Sequence, residues 1–344
     1  MKSLINIEND GLFIETQKET PKKGKKMKNI VKRSNVLSKN EIRISRIIKK
    51  ISRFFLYFEP ILGSRDFRLA EIDDERFEKC KIMNESTEYF LFQYENREKS
   101  CDFFRFFSNN ASKKIKIIKM INSFKNLLNI TRVLDERKVV HMNLVPKNIF
   151  FTRDESPYLT NFDQSFILEK DELERKSNEE VHNYNFSEYN PYKIHLPLEV
   201  HLLCFMNDRK YESLSAANIE TVVNDWFDGV SLSPFGKYIP EEFKAAAIFS
   251  RRSLINKPKN IIMDDILSFA WTWNNYSLNI IYLYLLSSLD RKEYSHRFID
   301  SFVCILLLNI SGDCSTRETT EKTMQLFDDL IYSISQEEWS KLFS

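Results

Sequence analysis

Glycine is scarce in this chain, and its scarcity limits what the chain can fold into. Only six glycines occur in 344 residues, whereas glycine makes up about 7% of an average protein. The two that lie closest together, Gly229 and Gly236, are seven residues apart. Neither a G-x-G-x-x-G fingerprint nor a Walker A loop can therefore exist, because both need closely spaced glycines to bring the backbone against phosphate. Any phosphate-binding site must be built without a glycine-rich loop.

The rest of the composition indicates a globular protein of a reducing compartment. Hydrophobic residues make up 42% of the chain, which is enough for a sizeable core, and the net charge is only +2. The five cysteines are dispersed without a C-x-x-C pair, which favours neither a disulfide framework nor a zinc site. The first 20 residues do not resemble a signal peptide, and the apolar stretch 276–289 is too short to span a bilayer. We expect a soluble, intracellular protein without a membrane span.

A basic run at residues 18–33 contains eight Lys and Arg residues. Such a run is typical of a solvated segment, and the alternative is an electrostatic arm for nucleic acid or for an acidic protein face. No aromatic residues are interleaved with the basic ones, so stacking on bases is not indicated. Together with the balanced net charge, this argues against nucleic acid as a partner.

Periodicity predicts a small mixed part followed by a mainly helical part. The predicted segments are strands at 29–32, 88–94, 138–140, 148–152 and 158–160, an early helix with Asn40 as its N-cap, a long helix at 112–136, an exposed loop at 169–195, and helices at 198–206, 213–225, 240–256, 270–289, 295–310 and 317–334. The aromatic residues along 270–289 predict a helix buried on all sides. We predict three regions: a basic, partly irregular segment (1–28), a β-rich region (29–96) and a helical region (97–344).

Two motifs follow the long predicted helix. Residues 141–148 read HMNLVPKN, and residues 161–163 read NFD, thirteen positions after Asn148. These segments resemble the catalytic loop H-R-D-L-K-P-x-N and the metal-binding D-F-G of protein kinases, in the same order and at nearly the same distance.

Three downstream features extend the likeness to protein kinases. Residues 197–199 (PLE) resemble the A-P-E element, and residues 273–278 (WNNYSL) resemble the W-D-x-Y-S-L start of the buried central helix. Arg317 stands where the arginine that pairs with the A-P-E glutamate is expected. The chain looks most similar to the kinase-like proteins of large nucleocytoplasmic DNA viruses, over roughly residues 29–335. The resemblance implies an α+β, two-lobed kinase-like fold with a reduced β-rich N-lobe and a mainly helical C-lobe.

The resemblance places neutral residues where a kinase needs charged ones. Asn143 takes the position of the aspartate that accepts the substrate hydroxyl proton, and an amide is not a base near neutral pH, so a contribution of roughly 10²–10⁴ in rate is lost. Asn161 takes the position of the aspartate that holds magnesium, an ion that prefers carboxylate oxygens. Val145 replaces the loop lysine, and Met142 replaces the arginine beside the base. The alternative is that both asparagines are ordinary loop residues, since Asn favours turns.

Groups with a structural role in kinases are kept or replaced by close substitutes. Asn274 replaces an aspartate that accepts backbone N–H bonds from the catalytic loop, and its amide oxygen can accept the same bonds. Glu199 and Arg317 are predicted to form a buried ion pair. The motif positions that match the kinase pattern directly are His141 and Phe162, which are packing residues, and Asn148, the second metal-ligand position.

The nucleotide side of the resemblance is sparse. Lys32, in a predicted strand, and Glu41, near the start of the following helix, are the candidate nucleotide-binding pair, although only nine residues separate them. We expect no cofactor and no bound metal. ATP with magnesium is expected only if the chain is an active kinase.

The leading hypothesis is a catalytically degenerate kinase-like protein that acts as a binding or architectural component. By family analogy, its partners are viral structural or capsid proteins, it is a virion or minor capsid component, and it is found in virions and the infected host-cell cytoplasm. One alternative is a residual serine/threonine kinase in which Asp154 or Asp163 substitutes for the missing acids. Another is a regulator that sequesters a kinase partner.

Overall fold

The chain folds into two compact units. The computed structural model describes residues 4–8, 11–15, 27–68, 87–97, 100–108, 112–168, 172–289 and 296–343. The structure is mixed α+β, as predicted, with about 59% helix and small antiparallel sheets. One unit comprises residues 1–101 and 150–165, and the other comprises residues 102–149 and 166–344. The first change of unit falls shortly after the predicted boundary at 96/97, and residues 150–165 return to the first unit.

The strands are short, apart from those of one five-stranded antiparallel sheet. They are β1 (Leu4–Glu8), β2 (Gly11–Glu15), β3 (Met27–Arg33), β4 (Gly63–Phe67), β5 (Tyr89–Glu95), β6 (Cys101–Asp102), β7 (Val139–Val140), β8 (Ile149–Phe151), β9 (Pro157–Leu159) and β10 (Phe166–Ile167). The large sheet has the order β1-β2-β3-β5-β4. β3 and β5 pair along their full length, with Ile30 opposite Phe92 and Lys32 opposite Phe90. The segment 1–28, predicted to be partly irregular, therefore contributes β1, β2 and the start of β3.

Helices make up most of the second unit. The helices are α1 (Val36–Ile48), α2 (Phe103–Ser108), α3 (Lys113–Glu136), α4 (Glu172–Asn185), α5 (Leu198–Arg209), α6 (Ala216–Ser231), α7 (Glu242–Ser250), α8 (Lys259–Leu267), α9 (Trp273–Ser287), α10 (Arg297–Leu308), α11 (Thr320–Ser333) and α12 (Gln336–Phe343). Of these, only α1 belongs to the first unit.

Helix α9 forms the centre of the second unit, as its aromatic pattern predicted. Its residues are buried from Trp273 through Leu283. Beside it, the ring of Phe124 on α3 makes edge contacts with Tyr282, Phe302 and Phe327, at centroid distances of 4.7–4.8 Å. Edge-to-face packing of this kind is favourable beyond the area it buries. The aromatic cluster therefore joins α3, α9, α10 and α11.

Three of the predictions for local structure were wrong. The segment 169–195 was predicted to be an exposed loop, but it contains α4, because Val181, His182 and Phe186 bury apolar surface that its polar sequence conceals. The predicted helix 240–256 divides into α7 and a short 3₁₀ turn at 252–254. Helices α2, α8 and α12 had not been predicted at all.

The N-cap of α1 was also misplaced. The cap is Asn35, whose side chain accepts the Ser38 N–H at 2.9 Å, while the Ser38 hydroxyl accepts the Asn35 N–H at 2.9 Å. Asn40 lies inside the helix and is buried. Its amide donates to the backbone oxygens of Asp163 and Ser165, both at 2.7 Å. A residue type that favours caps thus serves in a tertiary contact.

These two asparagines should differ in their contribution to stability. We expect Asn35→Ala to lower the free energy of unfolding of the first unit by about 1 kcal/mol, the usual cost of losing a cap. Asn40→Ala should lower it by about 2–3 kcal/mol, because two carbonyl oxygens lose their donor in a largely buried setting. Urea denaturation of both variants measures this difference. A larger loss for Asn35→Ala would contradict the assignment.

Candidate functional site

The loop at residues 141–148, in the second unit, is closed by its own asparagines. Asn143 is 8% exposed, and its backbone N–H donates to the oxygen of His141 at 2.5 Å. The Asn148 amide donates to the backbone oxygen of Asn143 at 2.8 Å, across a 3₁₀ turn. Met142 has a φ of 50°, a left-handed conformation that is costly for a residue with a side chain. The Asn148 side chain is thus engaged in holding the loop.

Asn274, at the start of α9, holds the beginning of this loop with both ends of its amide. Its oxygen accepts the His141 N–H at 2.8 Å, a bond from the loop backbone of the kind that the resemblance implied. Its nitrogen donates to the oxygen of Val139 at 2.8 Å and to the Asp135 carboxylate at 3.0 Å. A carboxylate could make the first of these bonds but neither of the others, because it has no donor. Asn at this position is therefore matched to its surroundings.

Asp135 is the reason why position 274 needs an amide, because its carboxylate needs a hydrogen-bond donor there. It ends α3, and its other oxygen accepts the Thr320 hydroxyl of α11 at 2.6 Å. Burial raises the pKa of Asp135 to about 6, and the bonds from Thr320 and Asn274 only partly offset that rise. This carboxyl therefore stabilises the fold below its unfolded pKa, and that contribution is lost as the pH rises through 6. The group links the ends of three helices.

A second buried cluster surrounds Glu199 at the start of α5. Arg317 donates to both carboxylate oxygens, at 2.6 and 3.0 Å, so the predicted pair is present and bidentate. Trp273 also donates to the carboxylate, at 2.9 Å, and Arg251 lies 3.6 Å away. Burial favours the neutral acid, but Arg317 and Arg251 outweigh it and lower the pKa of Glu199. The carboxylate is charged and fully enclosed.

In the first unit, Lys32 and Glu41 form an ion pair. Lys32 Nζ lies 2.8 Å from one Glu41 oxygen, and the Tyr94 hydroxyl donates to the other at 2.9 Å. Glu41 is 2% exposed, and Tyr94 is buried. Burial, followed by the charge of Glu41, raises the pKa of Tyr94 well above its usual value. The pair and the Tyr94 hydroxyl together connect β3, β5 and α1.

The NFD segment is also anchored within the first unit. Phe162 is fully buried, and its ring makes an edge contact with Phe58 at 5.9 Å. Asn161 has a φ of 62°, a left-handed conformation that Asn tolerates better than most residues. Asp163 accepts the Asn40 amide through its backbone oxygen, and Asp154 lies exposed in the turn between β8 and β9.

Glu59 is a further carboxyl group outside the motifs whose pKa is raised. Burial raises the pKa of Glu59 to about 7, even though Lys28 and Arg97 oppose the rise. Arg97 donates to the backbone oxygens of Phe55 and Phe58 at 2.7 and 2.8 Å and lies 4.0 Å over the Tyr158 ring. Glu59 is therefore next to a fixed cation, at a position that no kinase motif marks.

The structure brings together some of the predicted residues and adds others that were not predicted. His141, Asn143, Asn148 and Asn274 share one cluster, and Glu199 and Arg317 share another. Sequence reasoning missed Asp135, Arg251 and Tyr94, because each acquires its role from a partner at least 52 residues away. In the residues that the structure describes, no group of three or more His, Cys, Asp or Glu side chains could hold a metal ion.

No model of a known protein family matches the chain, and none of the curated proteins matches it significantly.

Across the described ranges, no helix is both long and apolar enough to cross a membrane. The functional roles of the motif residues, including nucleotide contact by Lys32 and Glu41, remain predictions.

The match between Asn274 and Asp135 can be tested by exchanging the two residue types. Asn274→Asp would set a second buried carboxylate against Asp135, at a position now 3.0 Å from it. We expect a loss of about 2–4 kcal/mol in unfolding free energy at pH 8. The loss should be smaller at pH 5, where the two acids can share a proton.

Adding Asp135→Asn to the same chain should restore part of the lost stability, since one amide and one carboxylate again face each other, while the Val139 oxygen still lacks its donor. Urea denaturation at both pH values measures all three chains. Equal losses at pH 5 and pH 8, or no recovery in the double variant, would show that the two side chains are not coupled.

The two arginines near Glu199 should contribute unequally to the stability of the second unit. We expect Arg317→Ala to cost about 3–5 kcal/mol, because it leaves a buried carboxylate without its bidentate partner. Arg251→Ala should cost less, because Arg317 still neutralises Glu199 and the lost contact is 3.6 Å long. The free energies of unfolding of the second unit, from urea titration, give the order. The reverse order would make Arg251 the principal partner.

Proposed function

We propose that this chain is a catalytically degenerate protein-kinase-like protein, a pseudokinase, that acts through binding and not through phosphoryl transfer. One observation carries the proposal: the loop that resembles a kinase catalytic loop is held in place by Asn274, while the base position on that loop is the neutral Asn143. The N–H of His141, two residues before Asn143, donates to the Asn274 oxygen at 2.8 Å. The side chain that supports the loop is thus kept, while the general base that the loop would carry in a kinase is absent.

The chemistry of the substituted positions supports the same proposal. Asn143 cannot accept a proton near neutral pH, and its loss as a general base removes roughly 10²–10⁴ in rate. Asn161 offers a neutral oxygen where magnesium would need an anionic one. The Asn148 amide nitrogen is engaged with the Asn143 carbonyl at 2.8 Å. No residue at these three positions carries a negative charge.

The location and the partners of this binding protein are proposed from the resemblance to kinase-like proteins of large DNA viruses. On that basis the chain is an architectural component of a virion, such as a minor capsid protein, and its partners are viral structural or capsid proteins. It would then be found in virions and in the cytoplasm of the infected cell. The same scaffold could instead sequester a kinase partner, because a kinase-shaped surface without turnover suits either role.

A residual serine/threonine kinase is the second candidate, and one observation favours it. The Lys32–Glu41 pair is formed, at 2.8 Å, with Glu41 almost completely buried. Kinases need this kind of pair to position ATP phosphates. Under this alternative ATP and magnesium would bind, and Asp154 or Asp163 would have to supply the missing carboxylate.

Incubation of the purified protein with labelled ATP and magnesium separates the two candidates. We expect no phosphate transfer above a protein-free blank, because the base and metal positions are neutral. The matched control is the chain with both Asn143→Asp and Asn161→Asp, which restores the two acids on the same scaffold. A gain of transfer in the control alone would locate the defect at these positions.

Autophosphorylation of the unmodified chain that Lys32→Ala abolishes would overturn the pseudokinase proposal. Melting temperatures with ATP, with and without magnesium, report nucleotide binding separately from transfer. A shift with ATP alone would indicate metal-free binding, which is compatible with a pseudokinase.

A further inference from the structure

One edge of strand β10 pairs with another strand, and a side chain covers its other edge. On its inner edge it pairs antiparallel with β7, with Ile167 opposite Val139, and the Leu168 N–H donates to the Lys138 oxygen at 2.8 Å. Backbone groups alternate in direction along such a strand. The N–H and C=O of Ile167 therefore point to the outer edge, where a further strand could add.

The amide of Asn178, on α4, occupies this outer edge. Its nitrogen donates to the Ile167 oxygen at 2.7 Å, and its oxygen accepts the Ile167 N–H at 3.4 Å. A carboxamide presents one acceptor and a donor side by side, as the edge of a neighbouring strand does. Asn178 is 6% exposed. The side chain thus satisfies both backbone groups of Ile167.

Neighbouring residues hold α4 against the rest of the second unit. Val181 is buried, and the His182 ring makes an edge contact with Phe166 of β10 at 4.6 Å. Just beyond the helix, Phe186 is fully buried and its backbone oxygen accepts the Asn207 amide of α5 at 3.1 Å. The position of α4 is thus fixed by apolar packing as well as by the Asn178 amide.

We propose that α4 is an internal strap that closes the outer edge of β10 with the Asn178 amide and withholds that edge from extended peptides, including a second copy of this chain. Exposed strand edges are templates for pairing with other chains, and natural proteins cover them. The contacts that carry this proposal are those of Asn178 with Ile167 and of His182 with Phe166. They therefore do not depend on the chain being a pseudokinase.

Hydrogen exchange with residue resolution tests the strap in the full chain. In the unmodified protein the Ile167 amide should be as well protected as that of Leu168, although β7 bonds only the latter. Asn178→Asp removes the donor and sets a carboxylate against the Ile167 oxygen. We expect exchange at Ile167 and across residues 176–186 to become about tenfold faster or more, and self-association to increase in analytical ultracentrifugation.

Asn183→Asp is the matched control, since Asn183 is an exposed residue of the same helix, and it should leave both measurements unchanged. Exchange of Ile167 in the unmodified protein at the rate of an unprotected amide would overturn the proposal, whether or not the variant folds. So would an Asn178→Asp chain whose exchange at Ile167 and whose association equal those of the Asn183→Asp chain.

Discussion

The amide of Asn274 is the contact on which the arrangement of the second unit depends. Through three hydrogen bonds it joins the start of α9 to the end of α3, to β7 at Val139 and to His141 just after that strand. Because one amide both donates and accepts, it can bind a backbone N–H and a carboxylate together. Asp135 in turn accepts a hydrogen bond from Thr320, which connects the same group of contacts to α11. Loop 141–148 is therefore fixed by a neutral group, and an acid at this position would repel its own neighbour.

Buried charge is retained in this protein where it has partners of its own. Glu199 is enclosed with two arginines and the Trp273 N–H, and its charge is stabilised despite complete burial. Glu41 is matched by Lys32 and by the Tyr94 hydroxyl. At Asn143 and Asn161, where a kinase uses its acids on substrate and metal, the chain has neutral amides. This distribution of charge serves the internal structure, which is the basis for proposing a scaffold.

Both units fix their motif segments with side-chain amides. Asn40 anchors the backbone at 163–165, Asn148 closes the loop that contains Asn143, and Asn178 closes the edge of β10. An amide can satisfy backbone groups without the desolvation cost of a buried charge. Asparagine side chains therefore have a structural use in this protein beyond the turns that the sequence suggested for Asn143 and Asn161.

The helical and strand segments with strong periodicity, and the order of the motifs, could be predicted from the amino-acid sequence. The sequence predicted β3, β5, α3 and the buried α9, and the resemblance to protein kinases predicted the pairing of Glu199 with Arg317 and the bonding of Asn274 to the loop backbone. These features are local patterns or fixed spacings, which a linear chain records directly. The prediction of a loop at 169–195 and of Asn40 as an N-cap was wrong, because polar composition and cap preference describe isolated segments.

The identity of the buried polar side chains, and of the groups they bind, follows from how the elements pack against one another. Asp135, Arg251, Tyr94 and Asn178 carry no local mark in the sequence. Each acquires its role from a group on another element, and the free energy of a hydrogen bond or an ion pair depends on burial and on the partner. Burial and partners exist only once the elements have packed, so the sequence could indicate the loop at 141–148 but not the network that supports it.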